Sequence, residues 1–287
     1  MTNTGETVDL RPVEGVLARM DMEAGRFRDA QDRHGFFACL YLATTRAIAA
    51  GIAGGRFVDA PQMVRFDVIF AGHWFRAVNA RRNHDAAPSA PWAAAFAAGR
   101  DAEVFIVQHL LLGMNAHIND DLPRVVAELL DKGADPHLLY DDYHVVNDIL
   151  AEMIDRVQAA LNTLNPALDR VDRWLGRLDE GLFDFSIVKA RAAAWDSALS
   201  LRAAGPSGSP GRAAAESALE ARTAGLAQKI ASAHRLLPGD GGFLRNDEPD
   251  WQDRAAGVGK VIDALRAIDP RPAGPRLPAG FASLGLD

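Results

Sequence analysis

The stretch Gln108-His109-Leu110-Leu111-Leu112-Gly113-Met114-Asn115-Ala116-His117-Ile118-Asn119-Asp120-Asp121-Leu122 decides the fold class. Its apolar residues recur at helical spacing and leave almost no polar face, the pattern of a helix enclosed by others. Yet it carries three amides, two histidines and two carboxylates. A buried polar group without a partner costs on the order of 1–3 kcal/mol. These side chains must therefore hold one another, share a metal, or face a binding site. Around them the stripe Val107, Leu111, Met114, Ile118, Leu122, Val125 and Leu129 predicts one central helix over 101–131, bent at Pro123, which removes a backbone donor.

Outward from that segment the periodicity stays helical, with no strand alternation, so an all-α fold is expected: a single bundle of about seven to nine helices around the buried central one. Helices are predicted near 11–31, 34–53 (ending at Gly54-Gly55), 60–82 with Pro61 at its start, 91–99, 138–163, 166–179 and 183–203. Residues 1–205 make the core domain. Residues 206–287 supply the linker Ala204-Gly205-Pro206-Ser207-Gly208-Ser209-Pro210-Gly211, then helices near 212–236 and 252–268 packing back on the core, then a final twenty or so residues expected to be poorly ordered.

The 287 residues carry a net charge of -7, and the densest basic run, Arg76 to Arg82, is short. A nucleic-acid partner is not expected. No apolar run reaches the length of a membrane span and no signal peptide precedes the first helix, so no membrane partner is expected either. The single cysteine, Cys39, lies in an apolar run and forms no intrachain disulfide, which fits a reducing cytoplasm. The alanine content and the preference for arginine over lysine suggest a bacterial chain.

Candidate chemistry gathers at a few positions. His109, Gly113, His117 and Asp121 are spaced by four and share a stripe, so His117 and Asp121 can touch or ligate one divalent transition metal. A catalytic metal would need a further ligand from another helix. The plain alternative is an imidazole bonded to a carboxylate inside a bundle. Asn115 and Asn119, with Gln108, either clamp a neighbouring helix or line a polar site. Gly113 implies close approach by a helix or a ligand. In Tyr140 to Asp148, the side chains of Asp141, His144 and Asp148 share an outward face, whereas Asp142 and Asn147 point toward the central helix; Asp142 could equally cap its own helix. Arg191, in an apolar stripe with Trp195, calls for a carboxylate such as Asp121 or Asp142, or for an anionic ligand. Asp67 and His73 flank Phe70, and Tyr41 lies on the inward face of its helix.

In order along the chain, Phe70-Ala71, the segment Gln108 to Leu122, Asp142-Tyr143-His144-Val145-Val146-Asn147 and Arg191-Ala192-Ala193-Ala194-Trp195 resemble a bacterial family known as domain of unknown function 5995. Its Gly-x-Asn-Ala-His-Ile-x-x-Asp-Leu core is the specific part, and the similarity spans about 30–205. The resemblance implies a helical fold and groups His117, Asp121, Asp142, Asn147, Arg191 and Trp195 in one constellation. Gly72 departs from it, at a position where a bulkier polar residue is expected.

The leading expectation is an enzyme acting on a small, partly apolar molecule. His117, Asp121, Asp142 and Arg191 are its expected catalytic residues; Asn115, Asn119, Asn147, His73, Tyr41 and Trp195 bind substrate. Acid/base chemistry of the lyase, cyclase or isomerase type fits the set, as does hydrolysis by a metal-bound water. The alternative is a non-catalytic ligand-binding or scaffold protein. A third reading, a magnesium-dependent isoprenoid diphosphate enzyme, rests on Asn119-Asp120-Asp121 opposite Asn147-Asp148.

Overall fold

A computed structural model describes residues 8–83, 86–101, 104–164, 187–233 and 254–269. They form α1 (Arg11–Asp29), α2 (His34–Ala53), α3 (Ala60–Asn83), α4 (Ala90–Ala98), α5 (Ile106–Ala116), a π-helical turn (His117–Asp121), α6 (Leu122–Asp131), α7 (Pro136–Leu164), α8 (Ile187–Ala203), α9 (Pro210–Ser232) and α10 (Arg254–Arg266). Counting α5, the π turn and α6 as one central segment, the described residues contain nine helices and no strand, an all-α bundle. The expected helix over 166–179, the start of the one over 183–203 and the final twenty residues lie outside the described residues.

The central segment differs from the expected continuous helix. Its backbone passes through a π turn, where the Leu122 N–H bonds to the His117 carbonyl, five residues back. The cause sits one residue later. Pro123 has no N–H, so the carbonyl of Asn119 loses its α-helical donor; it accepts instead from the Thr223 hydroxyl of α9 at 3.2 Å. The wider turn places His117, Ile118, Asp120 and Asp121 all inside the protein. Such π insertions recur at functional sites.

Around this segment, α2 packs against α1, α5, α7 and α10, α8 lies along α6, and α9 crosses α4 and α5. Contrary to the expectation that no apolar run reaches that length, helix α2 is long and apolar enough to cross a membrane by length and composition, and 72% of its most apolar window is buried in this bundle. Its closeness to α5 depends on Gly113, where a Cβ would overlap the Phe37 ring. The neighbour that Gly113 admits is thus a helix. Helix α10 closes against α2 in the same way, because a Cβ at Gly35 would stand 2.5 Å from Ile262 Cδ1. Bidentate pairs Arg28–Asp263 and Arg266–Asp21 tie α10 to α1.

The amides of the central segment prove to be fasteners for α9. Gln108 Nε2 donates to the Ile230 carbonyl at 2.7 Å, and Asn115 Nδ2 to the Thr223 carbonyl at 3.0 Å, while Asn119 Nδ2 donates to Asn115 Oδ1 at 2.9 Å. The buried Asp120 pairs with Arg124 at 2.9 Å, which also reaches Glu216 on α9.

Candidate functional site

Three helices and the π turn bring the remaining polar groups together. Asp121, buried and four residues after His117, accepts from three donors. His117 Nδ1 lies 3.0 Å from Asp121 Oδ2, Trp92 Nε1 of α4 donates to the same oxygen at 3.0 Å, and His73 Nδ1 of α3 lies 3.5 Å from Oδ1. Burial pushes the Asp121 carboxyl up, but the hydrogen bonds from His117 and His73, joined by their charges wherever these rings are protonated in acid, outweigh it and hold it down at about 2. Asp121 is therefore a carboxylate at neutral pH, and this fixes the imidazole beside it. A carboxylate accepts only, so His117 carries its proton on Nδ1, and Nε2 is left with a lone pair.

His117 itself is neutral. Burial holds its proton affinity below the usual histidine range; the hydrogen bond and charge of Asp121 work against that, and His73 adds to it. The ring is clamped on both sides. Phe70 stacks on it at 3.6 Å between centroids, 6° from parallel, and Tyr41 meets it edge-on at 4.3 Å. Its Nε2 is buried and has no hydrogen-bond partner among the described residues.

A group of further orphans surrounds that nitrogen's neighbours. The Tyr41 hydroxyl, the Thr45 hydroxyl one turn on along α2, and Asp67 Oδ2 on α3 are all buried; the first two reach only each other, and Asp67 Oδ2 has no partner among the described residues. Burial alone raises the Asp67 carboxyl to about 7, so the acid form persists to near neutrality. Tyr41 stays a phenol, pushed well above its ordinary value first by burial and then by the charges of Asp67 and Asp121. Phe70 and His73 are the partly exposed members of the group, and both lie on α3. Behind them His34 is neutral, held far down by burial, and accepts at Nε2 from Trp74 Nε1 at 3.2 Å.

The expected residues divide into those this site gathers and those it does not. His117, Asp121, His73 and Tyr41 meet here. Asn115 instead fastens α9, and the Asn119 side chain supports Asn115 while its backbone carbonyl accepts from Thr223 of α9. Asp142 does not face the central segment: its two oxygens accept the N–H groups of Val58 and Asp59 at 2.7 and 2.8 Å, anchoring the turn that begins α3. Arg191 finds neither Asp121 nor Asp142. Its Nε donates to Asn147 Oδ1 at 2.6 Å and an Nη to the Tyr143 carbonyl at 2.7 Å, and the guanidinium lies 3.9 Å from the Tyr143 ring centroid. Trp195 packs on Tyr140 and Tyr143 in that second cluster. The single constellation is thus two, because α7 and α8 answer each other's polar groups before either reaches the π turn. Asp141, His144 and Asp148 are exposed, as expected.

His117 and Asp121 bond each other rather than turning side by side toward an ion, and among the described residues no three His, Cys, Asp or Glu side chains are grouped to hold a metal. The paired magnesium arrangement has no counterpart either, since Asp120 and Asp121 diverge and Asn147 serves Arg191. Trp92 and Thr45 escaped the sequence reading. A buried indole N–H always needs an acceptor, but nothing local announces that Trp92 meets residue 121.

The model of the family of unknown function DUF5995 matches residues 13–233, and the chain belongs to that family. No curated protein and no solved structure matches the chain.

Proposed function

We propose that this DUF5995 member is a proton-transfer enzyme acting on a small, partly apolar molecule, with His117 Nε2 as its general base. One observation carries the reading: a neutral imidazole, locked in tautomer by a buried carboxylate, presents an unpartnered lone pair inside the bundle. A base so placed abstracts a proton without first shedding water, and Asp121 stabilises the imidazolium that forms. Trp92 and His73 keep Asp121 charged and fixed. The enclosure of Phe70, Tyr41 and Trp74 suits an apolar substrate body, and α3, which carries the partly exposed Phe70 and His73, is the side of approach. Isomerase, lyase or cyclase chemistry all begin with this step.

The test is carbon-bound proton exchange in deuterated water. A library of small carbonyl compounds is incubated with the protein and followed by NMR. At least one compound should lose a carbon-bound proton to solvent, and His117→Gln should abolish the exchange. In parallel, imidazole nitrogen shifts should show His117 protonated on Nδ1 alone at neutral pH. A cationic His117, or one protonated on Nε2, would sink the proposal.

A non-catalytic, ligand-binding role is the second reading. It is favoured by the fastening of Gln108, Asn115 and Asn119 to α9, which shows this segment using polar groups for packing. Under that reading a ligand binds against His117 and no carbon-bound proton exchanges.

A further inference from the structure

The orphans on α2 and α3 have chemistry complementary to that of His117. His117 Nε2 offers a lone pair and accepts only. Asp67 Oδ2, Tyr41 Oη and Thr45 Oγ1 are hydroxyl-type groups; the Tyr41 and Thr45 hydroxyls lie close enough to share one hydrogen bond, which leaves one of their two protons without an acceptor, and Asp67 Oδ2 has no partner among the described residues. All four atoms are buried, on three different elements, around the aromatic wall of Tyr41 and Phe70. When ionised, Asp67 would act on the Tyr41 hydroxyl, so these two groups are near each other, and Asp67 lies one turn before Phe70, which stacks on His117. Of the eight buried side-chain polar atoms without a firm partner among the described residues, four belong to this group, whereas nearly all buried polar groups in folded chains are paired.

We propose that the buried Asp67, with the Tyr41 and Thr45 hydroxyls, is the donor side of a binding site whose acceptor side is His117, and that the site takes an uncharged hydroxy-carbonyl compound. The ligand hydroxyl donates to His117 Nε2, and its carbonyl oxygen accepts from the Asp67 and Tyr41 side. This rests on the general-base reading above and names its substrate class. Charge decides against an anion. Asp121 beside the site is already a carboxylate, held by two histidines and a tryptophan rather than by an arginine or lysine. Arg191, the residue expected to receive a carboxylate or phosphate, is committed to Asn147 and Tyr143. A second negative charge would face an ionised carboxylate in an apolar enclosure without a cation to offset it. With an uncharged ligand present, each orphan gains a partner and no charge is buried.

Acetoin and lactate are the probes, since they differ mainly by a methyl group in place of an oxyanion. The full-length protein, labelled in its aspartate carboxyls and histidine rings, is titrated with each at neutral pH. Acetoin should shift the Asp67 carboxyl and His117 ring resonances saturably, and lactate should leave both unmoved. Asp67→Asn, which keeps a donor, should retain acetoin binding. Asp67→Val should weaken it about tenfold, the loss of one hydrogen bond. Without ligand, the Asp67 carboxyl should titrate near neutrality. Lactate binding as well as acetoin, a failure of acetoin to move either resonance, or an Asp67 already ionised in mild acid would each overturn the inference. An ionised Asp67 alongside a neutral, Nδ1-protonated His117 removes only this inference. A His117 with the wrong tautomer removes the general-base reading as well.

Discussion

The two nitrogens of His117 have different fates, and this asymmetry is set by one neighbour. Replacing Asp121 with Asn keeps the shape but lets the residue offer an amide N–H, so His117 would turn its lone pair toward position 121 and carry its proton on Nε2. Asp121→Asn should therefore depress carbon-bound proton exchange by about 10²- to 10⁴-fold while the fold survives, with the tautomer change visible in nitrogen shifts. Stability follows pH in opposite senses at the two buried aspartates. Asp121 is depressed from 3.8 to about 2, so it contributes about 2 kcal/mol above its unfolded value, lost as pH falls through that window. Asp67 is raised from 3.8 to about 7, so the folded state prefers its acid form and loses about 4 kcal/mol as pH rises from about 4 to 7. Chemical denaturation of wild type and Asp67→Asn across that range should show the variant gaining relative stability with rising pH. A constant difference between the two would mean that Asp67 is not buried as an acid.

At the scale of the elements, the central segment shows what a sequence can and cannot disclose. Its burial was legible, because leucines on every face leave no surface for water, and so was the touch of His117 on Asp121, because residues four apart share a face. The break at Pro123 was legible too, but its form was not. A missing N–H predicts disturbance, whereas the π turn depends on Thr223, about a hundred positions away, being there to receive the freed carbonyl. Asp142 and Arg191 misled for the same reason. A buried charge announces that it needs a partner without saying that backbone N–H groups at 58 and 59, or an amide at 147, will be it. Fasteners and chemistry should separate in experiment. Asn115→Ala removes bonds to Thr223 and Asn119 and should cost about 2 kcal/mol in denaturation, with the His117 tautomer unchanged. Gly113→Ala drives a methyl group into Phe37 and should cost about 1–3 kcal/mol. Because Phe37 in turn meets the His117 ring, that variant should also disturb the histidine's resonances, which Asn115→Ala should not.

Across the whole molecule, polar groups are spent in two places with different physical logic. At the π turn, α3 and α4 converge on a carboxylate that is over-supplied with donors, beside a His117 nitrogen and an Asp67 oxygen that have no partner among the described residues. Between α7 and α8 the accounts close: Arg191 donates to Asn147 and to the Tyr143 carbonyl, and the Tyr143 hydroxyl donates back to the Arg191 carbonyl at 2.6 Å. A closed set is what a joint between helices requires, and an open set is what a ligand requires. The distinction can be measured at Arg191. Burial pulls its guanidinium below the ordinary arginine range, with no carboxylate among the described residues to compensate, so the charge is a liability to the fold. Arg191→Met keeps most of the side-chain volume and removes the buried charge, but leaves Asn147 Oδ1 and the Tyr143 carbonyl short of a donor. These effects oppose each other, and the net cost in denaturation should stay within about 2 kcal/mol. Proton exchange dependent on His117 should be unchanged in Arg191→Met. If exchange were lost while the variant stayed folded, Arg191 would belong to the reacting centre after all, and the division of the molecule into a joint and a site would fail.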